Sequence, residues 1–303
     1  MDEELKAILE ADLGDQSDAA KLEPVLYTRC YAHSILDGDA SAVPSPNGAP
    51  ADLMEELERA NAGVTVWDEG WRIDQYLQDG CVLARKGGAA RPFRPGEYLV
   101  HTGIGCAAKR GAPLSVLLPA GSRDVQPGFW FAFGTTVTEF DPGPGGLRLY
   151  WNVNAEGAPK LVAALTRALN RFQIPFHMKC HDKASAYSRR DAAVVYLPRR
   201  YYPVAALLLP RILEEVQPWL SASTPLFTKR LADGLALAED SGESFGKDRC
   251  RILAAAMVES AGQPIDERLA AVRRHFEQNR LKPDRPWLNP DSNAEYPFPF
   301  LPE

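Results

Sequence analysis

Leu147-Arg148-Leu149-Tyr150-Trp151-Asn152-Val153, followed one helix later by Phe176-His177-Met178-Lys179-Cys180-His181, is the stretch that decides the fold. Both segments alternate. Leu147, Leu149, Trp151 and Val153 point one way and Arg148, Tyr150 and Asn152 the other, which is the two-residue period of a strand. Phe176, Met178 and Cys180 oppose His177, Lys179 and His181 in the same manner. Between them, Glu156 to Phe172 reads as a helix, because Leu161, Leu165, Leu169 and Phe172 make one apolar stripe. Asn154 is placed to cap its start, Pro159 falls in its first turn, and Pro175 stops it. A third strand, Ala192 to Leu197, follows Tyr187-Ser188-Arg189-Arg190. With the helix on the apolar face, Arg148, Tyr150, Asn152, His177, Lys179 and His181 share the opposite, polar face. Like charges on a pleated face repel, so such a gathering points to an anion held between them.

That anion is not bulk nucleic acid. The 303-residue chain carries a net charge of −6, so its basic groups are a local feature on an acidic protein. Hydrophobic residues are 45% and charged residues 24%, as in globular proteins. No apolar run approaches the roughly 18 residues of a membrane span, and Met1-Asp2-Glu3-Glu4 opens the chain without an apolar signal core. Five scattered cysteines, Cys30, Cys81, Cys106, Cys180 and Cys250, fit reduced thiols rather than a disulfide framework. The expectation is a cytoplasmic protein with no nucleic-acid or membrane partner.

Working outward, residues 1–62 read as a helical segment. Leu5, Ile8 and Leu9 mark a first helix, Val25 to Ile35 a second, and Ala51 to Ala62 a third closed by Gly63. Asp37 to Pro50 is a surface loop by composition. Residues 63–146 form a β-rich module of short strands punctuated by Gly80, Gly87-Gly88, Pro95-Gly96 and Pro127-Gly128, with a turn at Pro142 to Gly146. Residues 147–303 form an α/β module, sharing one core with the module before it. Helices are expected over Tyr202 to Leu220, Lys247 to Ala261 and Ile265 to Leu281, and a strand over Phe227 to Leu231. Lys282 to Glu303, with six prolines, reads as an extended strap on the body. The fold class is α+β, with central mixed or antiparallel sheets flanked by helices.

Lys179 is the candidate base. A lysine abstracts protons only when partly neutral, which requires burial or neighbouring positive charge. His177, His181, Arg148 and Arg189 are at hand to supply it; the plainer alternative is an exposed lysine on a wet sheet face. Arg148, Arg189 and Arg190 present guanidinium forks that match phosphate oxygens, or else pair with Asp182 and Asp191. Lys229 and Arg249 are further cations near loop–helix junctions, and Arg249 lies in the first turns of a helix opened by Glu243-Ser244-Phe245-Gly246. His101 and Tyr150 are candidate proton donors; the plainer reading makes one a strand histidine and the other a packing residue. His177, Cys180 and His181 have the composition of a metal site, but on a strand Cys180 points away from both histidines.

Taken together, these and other segments carry a family likeness. They include Ala60-Asn61-Ala62-Gly63, Asp68-Glu69-Gly70-Trp71, Phe131-Ala132-Phe133-Gly134, Arg148 to Val153, and Glu156-Gly157-Ala158-Pro159. Ala186-Tyr187-Ser188-Arg189, Asp191 to Pro198, Phe227-Thr228-Lys229, Gly242 to Gly246 with Arg249-Cys250, and Pro286-Trp287-Leu288-Asn289-Pro290 continue it. From about residue 55 to 300 the chain resembles the HopA-type effector-like family, which includes the stand-alone lyases of class V lanthipeptide and related peptide pathways. The resemblance implies a phosphoserine/phosphothreonine lyase. A partner Ser/Thr kinase phosphorylates a precursor peptide, the lyase eliminates phosphate to leave dehydroalanine or dehydrobutyrine, and a cyclase can add cysteine thiols afterwards. No metal or organic cofactor is implied. A more distant likeness, to phosphothreonine lyases of bacterial type III effectors, rests on element order. It sets Arg148-Leu149-Tyr150 against that family's Lys-x-His, His177-Met178-Lys179 against its Lys-x-Lys, and Arg189 against its arginine. The likeness makes Lys179 the base and Arg148, Arg189, Lys229 and Arg249, with His177 and Asn152, the phosphate ligands. Tyr150 stands where that family has its histidine acid, so the acid is Tyr150, or His101 reaching in from the β-rich half, or none is needed. Two other readings stay open: a non-catalytic module that binds a leader peptide or kinase, and a secreted effector lyase.

Overall fold

The computed structural model describes residues 2–14, 17–35, 52–102, 109–136 and 145–299. The Asp37–Pro50 loop, the Pro142-Gly143-Pro144 turn and Cys106 lie outside them. The α+β class holds: two antiparallel sheets are packed with seven α-helices among the described residues. Strands β1 (Val66–Tyr76), β2 (Val82–Lys86), β3 (Ala89–Phe93), β4 (Tyr98–Val100) and β5 (Pro113–Leu118) form a sheet in the order β3-β2-β1-β5-β4. It encloses a small core around Trp71, Ile73, Val82, Leu114 and Val116.

The larger sheet holds β6 (Gly121–Ser122), β7 (Phe129–Phe133), β8 (Gly146–Trp151), β9 (His177–His181), β10 (Ala193–Pro198), β11 (Lys229–Ala232) and β12 (Leu235–Asp240). Its order is β11-β12-β8-β10-β9-β7-β6. Two strands from before residue 146 therefore extend the sheet built by the later part of the chain. The alternation of β8 and β9 is observed as read. Leu147, Leu149, Trp151, Met178 and Cys180 face one layer of helices, α3 (Leu53–Ala60), α4 (Ala158–Arg171) and α5 (Tyr202–Val216). Asn154 caps the approach to α4, its side chain accepting the Gly157 N–H at 2.9 Å.

The opposite face departs from the expectation of a wholly polar surface. Over β12, β8 and β10 it is covered by α1 (Asp2–Glu10), α2 (Ala19–Leu26) with a π-helical turn at Tyr27–Tyr31, α6 (Phe245–Glu259) and α7 (Ile265–Gln278). Tyr150, Val194, Ala236 and Ala238 are buried there. That second apolar core stops at β10, and β9 and β7 carry Lys179, His177 and three phenylalanines on the same face.

Two further expectations change. Strand β12 has no counterpart in the reading above; its Leu-Ala-Leu-Ala run is buried on both faces and so shows no polar alternation. Gly63 does not close α3. The helix ends at Ala60, and Asn61, in extended backbone, accepts the Gly63 N–H at 2.9 Å while donating to the Ala120 carbonyl at 2.8 Å.

Candidate active site

Register places the key side chains in two rungs on one sheet face. One runs Ala238, Arg148, Tyr196, His177, Phe133 across β12, β8, β10, β9 and β7. The other runs Ala236, Tyr150, Val194, Lys179, Phe131. The structure thus brings Arg148, Tyr150, His177 and Lys179 together, and Arg189 joins them from the turn before β10.

Lys179 is half-buried. Its ammonium lies 4.6 Å from the Phe129 ring centre and 5.8 Å from that of Tyr196. No carboxylate lies within ion-pair distance of it among the described residues. Burial lowers its pKa; Asp191 opposes the shift, and the positive charges of Arg148 and Arg189 add to it. Burial also pushes His177 down to about 4, with Asp240 opposing and Arg91, Lys179 and Arg148 adding. His177 is therefore a neutral ring near neutral pH, stacked on Tyr196 at 4.4 Å.

The two arginines are held by carboxylates. Arg189 forms a two-point pair with Asp191 at 2.8 and 2.9 Å and donates to the Tyr27 hydroxyl at 3.2 Å. The alternative pairing of Arg189 with Asp191 is thus realised. Arg148 donates to Asp240 at 2.6 Å and to the Glu243 carbonyl, and lies over the Tyr196 ring at 5.4 Å. Its Nε is buried without a partner among the described residues. Tyr150 is buried among Tyr31, Phe245 and Arg148. Burial raises its pKa, so the phenol keeps its proton.

Other candidates are not brought to this cluster. Lys229 pairs with Leu237, which puts it on the α4–α5 side of the sheet, and its ammonium donates to the Tyr296 carbonyl at 2.7 Å. Arg249 is fully buried and donates to the Pro286 and Leu288 carbonyls at 2.8 Å each, besides pairing with Asp248. Both cations clamp the C-terminal strap. Asn152 faces the same way as Tyr150 but spends its amide on Ser223, at 2.9 Å to the carbonyl and 3.1 Å to the hydroxyl. His101 follows β4 in the other sheet and bonds Ser115 at 2.7 Å, the plainer of its two readings. Arg190 is buried against Glu4 at 2.8 Å. Cys180 faces the α4 core, away from His177 and His181. Among the described residues no cluster of three His, Cys, Asp or Glu side chains is arranged for a metal.

Five site groups escaped the sequence reading. Asp240 and Tyr196 lie on the polar face by register, which only the pairing of β12 and of β10 with β8 reveals. Tyr27 and Tyr31 come from the N-terminal segment, where their four-residue spacing reads as helix packing. Arg91 reaches His177 electrostatically from β3.

The fold and site define an α+β protein whose largest sheet carries a half-buried basic cluster at the margin of a helical layer. The chain belongs to the HopA1 effector protein family, whose pattern it matches over residues 120–288. It is similar in fold to two effector proteins of Pseudomonas syringae. One, from pathovar tomato strain DC3000, aligns over 95% of each chain with TM-score 0.53 and 17% identity. The other, from pathovar syringae strain 61, aligns over 95% of this chain and 98% of its own, with TM-score 0.52 and 16% identity. No curated protein matches significantly. No helix among the described residues is long and apolar enough to cross a membrane.

Proposed function

We propose that this protein eliminates phosphate from phosphoserine or phosphothreonine in a peptide, with Lys179 as the base. The observation that carries the reading is Lys179 itself: an amine with no ion pair among the described residues, with burial and two flanking guanidinium groups favouring its neutral form. The neutral Nζ takes the Cα proton. The freed electron pair becomes the Cα=Cβ bond, and the Cβ–O bond breaks with its electrons on phosphate. Arg148 and Arg189 neutralise the charge that grows on the leaving group. The Tyr150 hydroxyl, held protonated by burial, is the donor on the same rung as Lys179. The products are inorganic phosphate and a dehydroalanine or dehydrobutyrine residue.

In this reading the substrate is a precursor peptide phosphorylated by a partner Ser/Thr kinase, with a cyclase acting on the product. Membership of an effector family leaves a second setting, in which the phosphopeptide belongs to a host protein. One observation favours binding without chemistry: Asp191 and Asp240 already engage both arginines. Mass spectrometry of a phosphothreonine peptide incubated with the wild type and with Lys179→Ala decides. Loss of phosphoric acid with the wild type alone is the expected result. Binding of the peptide with no elimination by either protein, the kinase present or not, overturns the lyase reading.

A further inference from the structure

A cavity of about 500 Å³ lies between the two sheets, beside the basic cluster. Its walls are mostly apolar, with Leu117 and Pro119 from the end of β5 and just beyond it, Phe131 and Phe133 from β7, and Phe176 and Leu197 from around β9 and β10, while Arg91 and Glu97 add one charge of each sign. A cavity of about 150 Å³ can hold a benzene ring, so this one has room for a large side chain with backbone to spare. His177, Tyr196 and Asp240 line one end, and these are cluster residues. Tyr196 is shared most directly, since Lys179 and Arg148 both lie over its ring. Phe131 and Phe133 are the register partners of Lys179 and His177.

We infer that the cavity is the specificity pocket of this site and takes a large apolar side chain two residues from the phosphorylated one. The inference rests on the phosphopeptide reading and names what that peptide must contain. In an extended peptide, side chains at i and i±2 lie on one side, roughly 7 Å apart. A phosphate seated over Lys179 then sends the second neighbour past Tyr196 into the cavity, while the first neighbour points away. The neutral His177 ring at the shared end suits an apolar occupant better than a cation would.

The test uses phosphothreonine peptides in an alanine background, carrying one phenylalanine at −2, −1, +1 or +2. Binding is read by fluorescence anisotropy on the full chain, and elimination by mass spectrometry. Phenylalanine at −2 or +2 is expected to tighten binding roughly tenfold to a hundredfold over alanine, the effect of burying one aromatic side chain. The gain should be absent at ±1 and persist in Lys179→Ala. Val125 lines the cavity yet is 54% exposed, so Val125→Trp can fill the space with little risk to the core. It is expected to abolish the phenylalanine advantage; Leu117→Trp, from another wall, should do the same. Equal binding of all peptides, or an advantage that survives both fillings, overturns the pocket. If the advantage appears but no peptide loses phosphate, the pocket stands and the lyase reading falls.

Discussion

Asp191 and Asp240 raise the Lys179 pKa, whereas burial, Arg148 and Arg189 lower it. With the neutral amine as base, kcat/KM should rise with pH, the midpoint of the rise lying below the ordinary lysine value of 10.5. Arg189→Gln removes one of the lowering charges and should move that rising limb to higher pH. Asp191→Asn removes an opposing charge and should move it lower; a pH–rate profile for each variant checks both signs. His177 bears on stability instead. Its folded-state pKa of about 4 lies below the ordinary 6.5, so the unfolded chain binds the extra proton first. That contribution is complete above about pH 6.5 and lost as pH falls to about 4, an effect on the order of 3 kcal/mol. In urea melts across this window, His177→Gln should flatten the decline by a comparable amount. An unchanged slope would place the acid sensitivity elsewhere. Lys179, Arg148 and Tyr150 were legible as one surface because alternation alone assigns strand faces. Lys229 was not, since its face depends on pairing with a strand whose sequence shows no alternation.

Strand β12 illustrates what pattern reading misses and where the signal was. Leu235 to Ala238 looks helical by composition, but Asp233-Gly234 before it is a hairpin dipeptide. Gly234 takes φ +68°, and a Cβ there would meet the Ser221 carbonyl oxygen at 2.6 Å. Gly234→Ala should therefore cost roughly 1–3 kcal/mol, read as a lowered Tm. The C-terminal strap was expected as an extended segment, but its anchors were not. Glu239, with no exposure, accepts from the Tyr296 hydroxyl at 2.6 Å, the Ser292 hydroxyl at 2.8 Å and the Asn289 N–H at 2.7 Å, and pairs with Arg199. Arg249 holds the strap at Pro286 and Leu288. Its place in the first turns of a helix and the family likeness made Arg249 resemble a phosphate ligand, whereas the structure buries it on the Pro286 and Leu288 carbonyls. Arg249→Met should destabilise by about 2–4 kcal/mol and expose the strap to limited proteolysis. A variant as stable and protease-resistant as the wild type would contradict the anchoring role.

Across the whole molecule, the site lies where the helical layer over the large sheet ends. Helices over β12, β8 and β10 dehydrate Arg148 and Tyr150, whereas Lys179 on β9, beyond the edge of that apolar core, stays half-buried. The N-terminal segment belongs to this arrangement, because Tyr27 touches Arg189 and Tyr31 touches Tyr150. Ile8, Leu9, Leu22 and Leu26 are each at most 1% exposed. At about 1.5–3 kcal/mol apiece, their loss approaches the stability of a typical domain. A chain lacking residues 1–31 is accordingly expected to lose its cooperative thermal transition by circular dichroism. A folded truncation would show that these helices are accessory. The central claim places one lysine at the site and another under the strap, and phosphate release from a phosphothreonine peptide separates them most directly. Lys179→Ala should lower the rate roughly 10²–10⁴-fold, as expected for loss of a general base, while Lys229→Ala keeps most of it. Full activity in Lys179→Ala, or its loss in a folded Lys229→Ala, would contradict the account.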